Sequence, residues 1–289
     1  MSKKPNFLFI LSDEHQKHVT GCYGNPTNVT PNLDSLAARG TLFTKAYTTC
    51  PICVPARASL ATGKYVHEIG NWDNAFPYHG VERSWHHELR DAGLTVDLIG
   101  KLHFRSQADD NGFTKEIQPL HVVAGLGDPM GCLREDPPVR HRREGINSAG
   151  EGMTTYQEYD MKNADEAINW LQSHKDDSKP WTLFLSLVCP HPPYRVQKPY
   201  LDKFDPDKLP RPPQWKDEDW PRHPAYAHMR QYFDAEKQHT EEQIKNLIHA
   251  YYGLTNFLDT QIGRVLDQLS ALGLNEDTHI LYSTDHGEC

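Results

Sequence analysis

The stretch "TTCPICVPARASLATGKY", Thr48 to Tyr65, sets Cys50 and Cys53 three positions apart and follows them with Pro55, Arg57 and Gly63. Three chemistries fit such a pair. A redox dithiol sits at a helix start in a small thioredoxin-like unit. A structural zinc site needs a second ligand pair of similar spacing, and Cys22, Cys132, Cys189 and Cys289 offer none. The third reading places a reactive group at Cys53, at the start of a helix that Pro55 suits in its first turn and Gly63 ends. Free N–H groups and the macrodipole favour an anion there, and Arg57, four residues on, projects from the same face. An oxyanion ester would fit between such a nucleophile and a guanidinium fork.

Other ionisable residues cluster at the ends of apolar runs. "NFLFIL" leads to Asp13 and Glu14, and "LTVDLIG" leads to Lys101 and His103. "WTLFLSLV" leads to His191, and "HILYST" leads to Asp285 and His286. Continuous apolar runs suit strands covered on both faces. Ligands in open α/β sheets sit beyond the carboxyl ends of such strands, so the four runs predict one shared site.

Helices are predicted between them. "PNLDSLAARG" stops at Gly40, and "SWHHELRDAG" starts at a Ser84 cap and stops at Gly93. Gln157 to His174 forms another, and a capping box at Thr240 and Gln243 opens a long helix, or a kinked pair, running to Gly273. The fold class is therefore α/β, a mostly parallel central sheet with helices on both faces. Residues 105–155 and 191–235 lack periodicity and read as irregular loop insertions near the site. His86-His87-Glu88 reads as a solvated or partly buried helix face, because adjacent helical positions diverge by about 100° and share an ion poorly. The arginines of "VRHRRE" read as a solvated charge cluster. Cys50 reads as a small packing residue.

The chain has 289 residues and a formal net charge of -9, which argues against a nucleic-acid surface. The N-terminal apolar run meets Asp13 and Glu14 instead of a cleavage site, and no run approaches membrane-span length. Six irregularly placed cysteines point to a reducing cytoplasm instead of a disulfide framework. One large domain over 1–289 is expected.

Across nearly its whole length the chain resembles the formylglycine-dependent type I sulfatases of the alkaline phosphatase superfamily. "CVPARASLATG" resembles their signature, Cys-x-Pro-x-Arg with a following Leu60, Thr62 and Gly63. "DE" with the later "CYG", "GKLHF", "PHPPY" and "STDHGE" resemble further family segments. The layout, with "WDNAFPY", is similar to the branch holding choline-sulfatase-like enzymes and phosphonate monoester hydrolases.

The resemblance implies hydrolysis of a sulfate ester, or alternatively of a phosphonate monoester or phosphodiester. Cys53 would be oxidised to formylglycine and hydrated. One hydroxyl attacks sulfur or phosphorus, and the second lets the covalent ester collapse to the aldehyde. The carried-over metal ligands are Asp13, modified Cys53, Asp285 and His286, with Glu14 either ligating as well or lying just behind them, around one divalent cation, Ca²⁺ first and Mg²⁺ or Mn²⁺ next. Arg57 would hold the formylglycine and ester oxygens, Lys101 and His103 the transferred group, and His191 the ester or leaving group. Asn74 matches a polar contact of the phosphonate hydrolase branch. Lys101 and His103 favour sulfate over phosphonate. The implied partners are a small-molecule ester and a formylglycine-generating enzyme, with self-association allowed. Family members continue past the last metal motif, so a C-terminal subdomain is expected to be absent here. An inactive metal- or anion-binding relative is the reading from another class.

Overall fold

A computed structural model describes residues 4–128, 139–140 and 143–288. Cys132, Cys289, His141 and Arg142 lie outside the described residues, and with them part of the "VRHRRE" cluster. Within that cluster Arg140 is not simply solvated, since its guanidinium pairs with Asp128.

The chain opens with β1 (Asn6–Asp13), then α1 (Pro31–Ala38), α2 (Cys53–Thr62), the short α3 (Val66–Ile69) and α4 (Trp85–Asp91). β2 (Thr95–Lys101) and β3 (Lys115–Leu120) follow, then α5 (Arg143–Asn147), β4 (Gly150–Glu151) and α6 (Thr155–His174). The remainder runs through β5 (Trp181–Pro190), β6 (Arg195–Val196), α7 (Lys198–Leu201), α8 (Pro224–Tyr232), α9 (Glu241–Ala271) and β7 (Thr278–Thr284).

Five strands form one parallel sheet in the order β3-β2-β5-β1-β7. Burial follows that order: every residue of the central β5 is buried, whereas the edge strands β3 and β7 are partly exposed. Alternate residues of β1 serve the two faces. Leu8 and Ile10 pack with Ala164, Leu171, Phe257 and Ile262 of α6 and α9, while Phe9 and Leu11 pack with Ala58 and Ala61 of α2. Alanine on α2 lets that helix lie close to the sheet, and this sets the depth of its first residue, Cys53.

The four predicted strands are β1, β2, β5 and β7, and the predicted α/β class holds. β3 lies inside the segment read as irregular. Its six residues, Lys-Glu-Ile-Gln-Pro-Leu, carry little apolar pattern, and Pro119 is tolerated because β3 is an edge. The segment 191–235 likewise contains β6, α7 and α8. α9 is one continuous helix of 31 residues, not a kinked pair, opened by the Thr240–Gln243 box. α6 starts two residues before the predicted point, at Thr155, because Gln157 is the third residue of a box capped by Thr154.

His86 and His87 are buried and Glu88 is exposed, so of the two readings the partly buried face holds. Each finds partners inside: His86 Nδ1 donates to the Asn111 carbonyl at 2.8 Å, and His87 Nε2 donates to the Asp110 carbonyl at 3.0 Å. Such bonds offset the cost of taking a neutral imidazole out of water.

Candidate metal and ester site

Because the sheet is parallel, the carboxyl ends of its strands share one edge. Asp13 ends β1, Lys101 ends β2, His191 follows β5, and Asp285 and His286 follow β7. Cys53 enters from above as the first residue of α2, with Gly63 closing that helix in the left-handed conformation at φ 69°.

Asp13, Cys53, Asp285 and His286 are all buried, and each offers an atom within 4.8 Å of the others. Cys53 Sγ lies 3.3 Å from Asp13 Oδ1 and 3.3 Å from His286 Nε2. The two carboxylates divide their oxygens by side. Each Oδ1 faces the imidazole, at 3.9 Å for Asp13 and 4.0 Å for Asp285. Each Oδ2 faces cations: Asp285 Oδ2 accepts from Arg57 Nε at 2.8 Å, and Asp13 Oδ2 pairs with Lys101 and lies 3.6 Å from Arg57 Nη2. Asp285 Oδ1 also accepts the backbone N–H groups of His286 at 2.8 Å and Glu14 at 3.2 Å.

The site's charges set its protonation. Burial raises the Asp285 carboxyl, but Arg57, His286 and Lys101 outweigh it and hold the group below its ordinary value. Burial presses the Lys101 ammonium down to about 8, against the pull of Asp285 and Asp160. Burial, then the charges of Asp285 and Glu14, push the Cys53 thiol well up. His191 is pressed down to about 3 by burial first and by Lys101 second. His103 is lowered by burial and by the same cations.

Two buried polar atoms here lack a hydrogen-bond partner among the described residues, Arg57 Nη2 and His103 Nδ1. Leaving such groups unpaired costs about 1–3 kcal/mol each, so they mark where a ligand's oxygens belong. The donor chemistry also fits a hard divalent cation: two carboxylates and one imidazole, with no second thiol. Asp13, Asp285 and His286 would hold it, with the side chain at position 53 beside them.

Glu14 falls elsewhere. It has a left-handed backbone at φ 61°, and its carboxylate groups with Cys53 and His191, 3.7 Å from His191 Nε2, instead of with the first four. Asn74 is partly committed: its Oδ1 accepts the Val54 N–H at 3.1 Å and so caps the first turn of α2. Cys50 is partly exposed and joins neither candidate metal group among the described residues, whereas Cys53 groups with Asp13, Asp285 and His286 and not with a second cysteine.

Sequence reasoning missed three supports. Ser186, inside an apolar strand, accepts Arg57 Nη1 at 2.9 Å, and the Lys101 carbonyl accepts the same nitrogen at 2.8 Å. Gly100, at φ 105°, lets β2 approach β5 there; a Cβ would stand 2.0 Å from the Ser186 carbonyl oxygen. Asp160 of α6 accepts the backbone N–H groups of Val188 and Cys189 at 2.7–3.0 Å and fixes the chain before His191. None carries a local signal; each is defined by what folding brings near it.

A cysteine at a helix start, set among two carboxylates and an imidazole on the carboxyl edge of a parallel sheet, defines the candidate site of this α/β fold. The chain belongs to the sulfatase family, whose model, described as Sulfatase, matches residues 5–289. It is 31% identical over 296 residues to the uncharacterized sulfatase YidJ of Escherichia coli, covering 99% of this chain and 58% of that protein. It is 29% identical over 299 residues to the choline-sulfatase of Rhizobium meliloti, covering 99% and 58%. The chain thus spans somewhat over half the length of these relatives. The phosphonate monoester hydrolase structure of Agrobacterium radiobacter shares the fold, with a TM-score of 0.72 at 23% identity over 98% of this chain and 63% of that one. Among the described residues no helix is long and apolar enough to cross a membrane.

Proposed function

We propose that the chain carries the catalytic centre of a sulfuric ester hydrolase, with formylglycine made from Cys53 as the nucleophile. One observation carries this reading: the first residue of α2 puts Cys53 Sγ 3.3 Å from both Asp13 Oδ1 and His286 Nε2. A divalent cation held by Asp13, Asp285 and His286, Ca²⁺ in the first instance, would supply Lewis acidity and lower the pKa of a hydroxyl bound to it.

The chain's own residues do the rest. Oxidation of Cys53 to an aldehyde and its hydration give two hydroxyls on one carbon, one to attack sulfur and one to reopen the aldehyde. The Arg57 guanidinium, fixed by Asp285, Ser186 and the Lys101 carbonyl, keeps Nη2 for an ester oxygen. Lys101 and His103 serve the remaining oxygens of the transferred group. His191 stands beside Cys53 and Glu14, where the alcohol would leave. Two buried cations in one pocket suit the charge that spreads over a sulfuryl group in transfer.

Phosphonate monoester hydrolysis is the second reading, supported by the "PHPPY" segment that carries His191. The proposed setting is a reducing cytoplasm, in keeping with four free cysteines among the described residues. A formylglycine-generating enzyme is the proposed maturation partner.

Peptide mass spectrometry across Thr48–Tyr65, together with rates on an aryl sulfate and an aryl phosphonate monoester, tests the reading. An aldehyde at 53 with faster sulfate turnover is expected. Full turnover by protein with an intact Cys53 thiol would remove the nucleophile assignment, and faster phosphonate turnover would reverse the substrate class.

A further inference from the structure

Tyr156 is the second residue of α6, and the start of that helix is held from several sides. Thr154 and Gln157 cap it reciprocally, and Gln157 Nε2 donates to Gln197 Oε1 at 2.9 Å. Asp160, four residues beyond Tyr156 and on the same helix face, clamps the backbone of Val188 and Cys189. One face of α6 therefore fixes the end of β5 and also presents an aromatic ring to the residue that follows it. The Tyr156 ring meets the His191 imidazole edge-on, with centroids 5.5 Å apart and planes at 89°.

Four other phenols are engaged. Tyr159 and Tyr251 donate to the Gln118 and Glu14 carbonyls at 2.5 Å each, Tyr194 donates to Glu288 at 2.6 Å, and Tyr282 bonds Ser12 Oγ at 2.8 Å. The half-buried Tyr156 hydroxyl has no hydrogen bond to a described residue. The His191 that this ring meets lies in one group with Cys53 and Glu14, so the phenol stands at the edge of the nucleophile position.

We propose that Tyr156 contacts substrate directly, its hydroxyl donating a hydrogen bond to the bridging oxygen of the ester held at position 53. The proposal rests on the ester-hydrolase reading. Negative charge grows on that oxygen as the alcohol departs, so the bond strengthens along the reaction and its worth rises as the leaving group becomes poorer.

Tyr156→Phe keeps the ring and its contact with His191 and removes only the hydroxyl. Protein with the aldehyde at 53 verified by mass is assayed on aryl sulfates ranging from nitrophenyl to unsubstituted phenyl leaving groups. The expected loss in kcat/KM is roughly 10- to 100-fold for the poorest leaving group, as for a hydrogen bond to a charged acceptor, and shrinks towards none for the best. The thermal midpoint should stay within the scatter of the wild type. Equal rates across the series, or a loss independent of leaving group, would overturn the contact while leaving the ester-hydrolase reading in place. Wild-type protein without turnover on sulfate or phosphonate esters would overturn that reading and this contact together.

Discussion

Arg57 and Asp285, 228 residues apart in sequence, are joined by a 2.8 Å bond from Nε to Oδ2 with both side chains buried. Removing the guanidinium leaves two carboxylates buried beside one remaining cation. Loss of one partner of a buried pair costs about 3–5 kcal/mol. Arg57→Ala should therefore lower the thermal midpoint by several degrees as well as abolish turnover. Differential scanning calorimetry checks this, and an unchanged midpoint would mean that the pair contributes nothing to folding.

Cys53→Ala and Cys53→Ser should separate chemistry from fold. Both side chains fit the space, so circular dichroism and melting should match the wild type. Turnover should fall at least about 10³-fold in each, because alanine offers no nucleophile and a serine left unoxidised has no second hydroxyl to expel the ester. Retention of a tenth of the activity by Cys53→Ala would exclude a covalent role for this position.

Chelation should act on stability as well as rate. An ion held at a hundred times its Kd stabilises the folded chain by about 2.7 kcal/mol. Dialysis against EDTA should lower the melting temperature and stop turnover, and separate return of Ca²⁺, Mg²⁺ and Mn²⁺ should rank the ions by both measures. Asp285→Asn should shrink the response to added ion. A melting curve indifferent to chelator would argue against a resident cation.

Stability should fall in acid through His86. Burial presses its imidazole down to about 3 from an ordinary 6.5, so the unfolded chain takes up a proton that the folded chain refuses. The contribution is complete above about pH 6.5 and is lost as pH falls towards 3. His15, lowered by burial to about 4, adds to the same slope. Denaturant midpoints measured between pH 7 and 4 should drop with pH, and His86→Phe should reduce the slope by about one proton, roughly 1.4 kcal/mol per pH unit. An identical slope in the variant would exonerate His86.

Asp160→Ala should strand the N–H groups of Val188 and Cys189 inside the protein, at about 1–3 kcal/mol for each unpaired group. The His191 loop would lose its anchor. Turnover should fall more than the melting temperature alone explains, and hydrogen exchange at 188–191 should accelerate. Unaltered exchange there would show that β5 holds the loop without help.

What could be read from the chain beforehand was whatever leaves a local trace. Apolar runs ending in Asp13, Lys101, His191 and Asp285 gave the strands and the edge they share, and Pro55 with Gly63 bracketed the helix that carries Cys53. β3 left little trace, because an edge strand with Lys115, Glu116 and Pro119 need not look apolar. Ser186 and Asp160 left none: one is an ordinary serine in a buried strand, the other one acid among many on a long helix. The role of Asn74 at the start of α2 left no local trace either: its Oδ1 accepts the Val54 N–H. Glu14 fits a metal ligand or a residue just behind the ligands, and its left-handed backbone brings its carboxylate beside His191 and Cys53.

The burial of Cys53 also sets a timetable. Its sulfur is enclosed by Asp13, made before it, and by His286, made 233 residues after it. At ribosomal speeds of about 5–20 residues per second, the interval between Cys53 and His286 is on the order of ten to fifty seconds. Any enzyme that oxidises this cysteine has that interval in which to find it, while β7 has yet to dock against β1. Slowing synthesis between Gly63 and Thr278 should therefore raise the fraction of chains carrying the aldehyde, and adding the oxidising enzyme to folded chains should convert few.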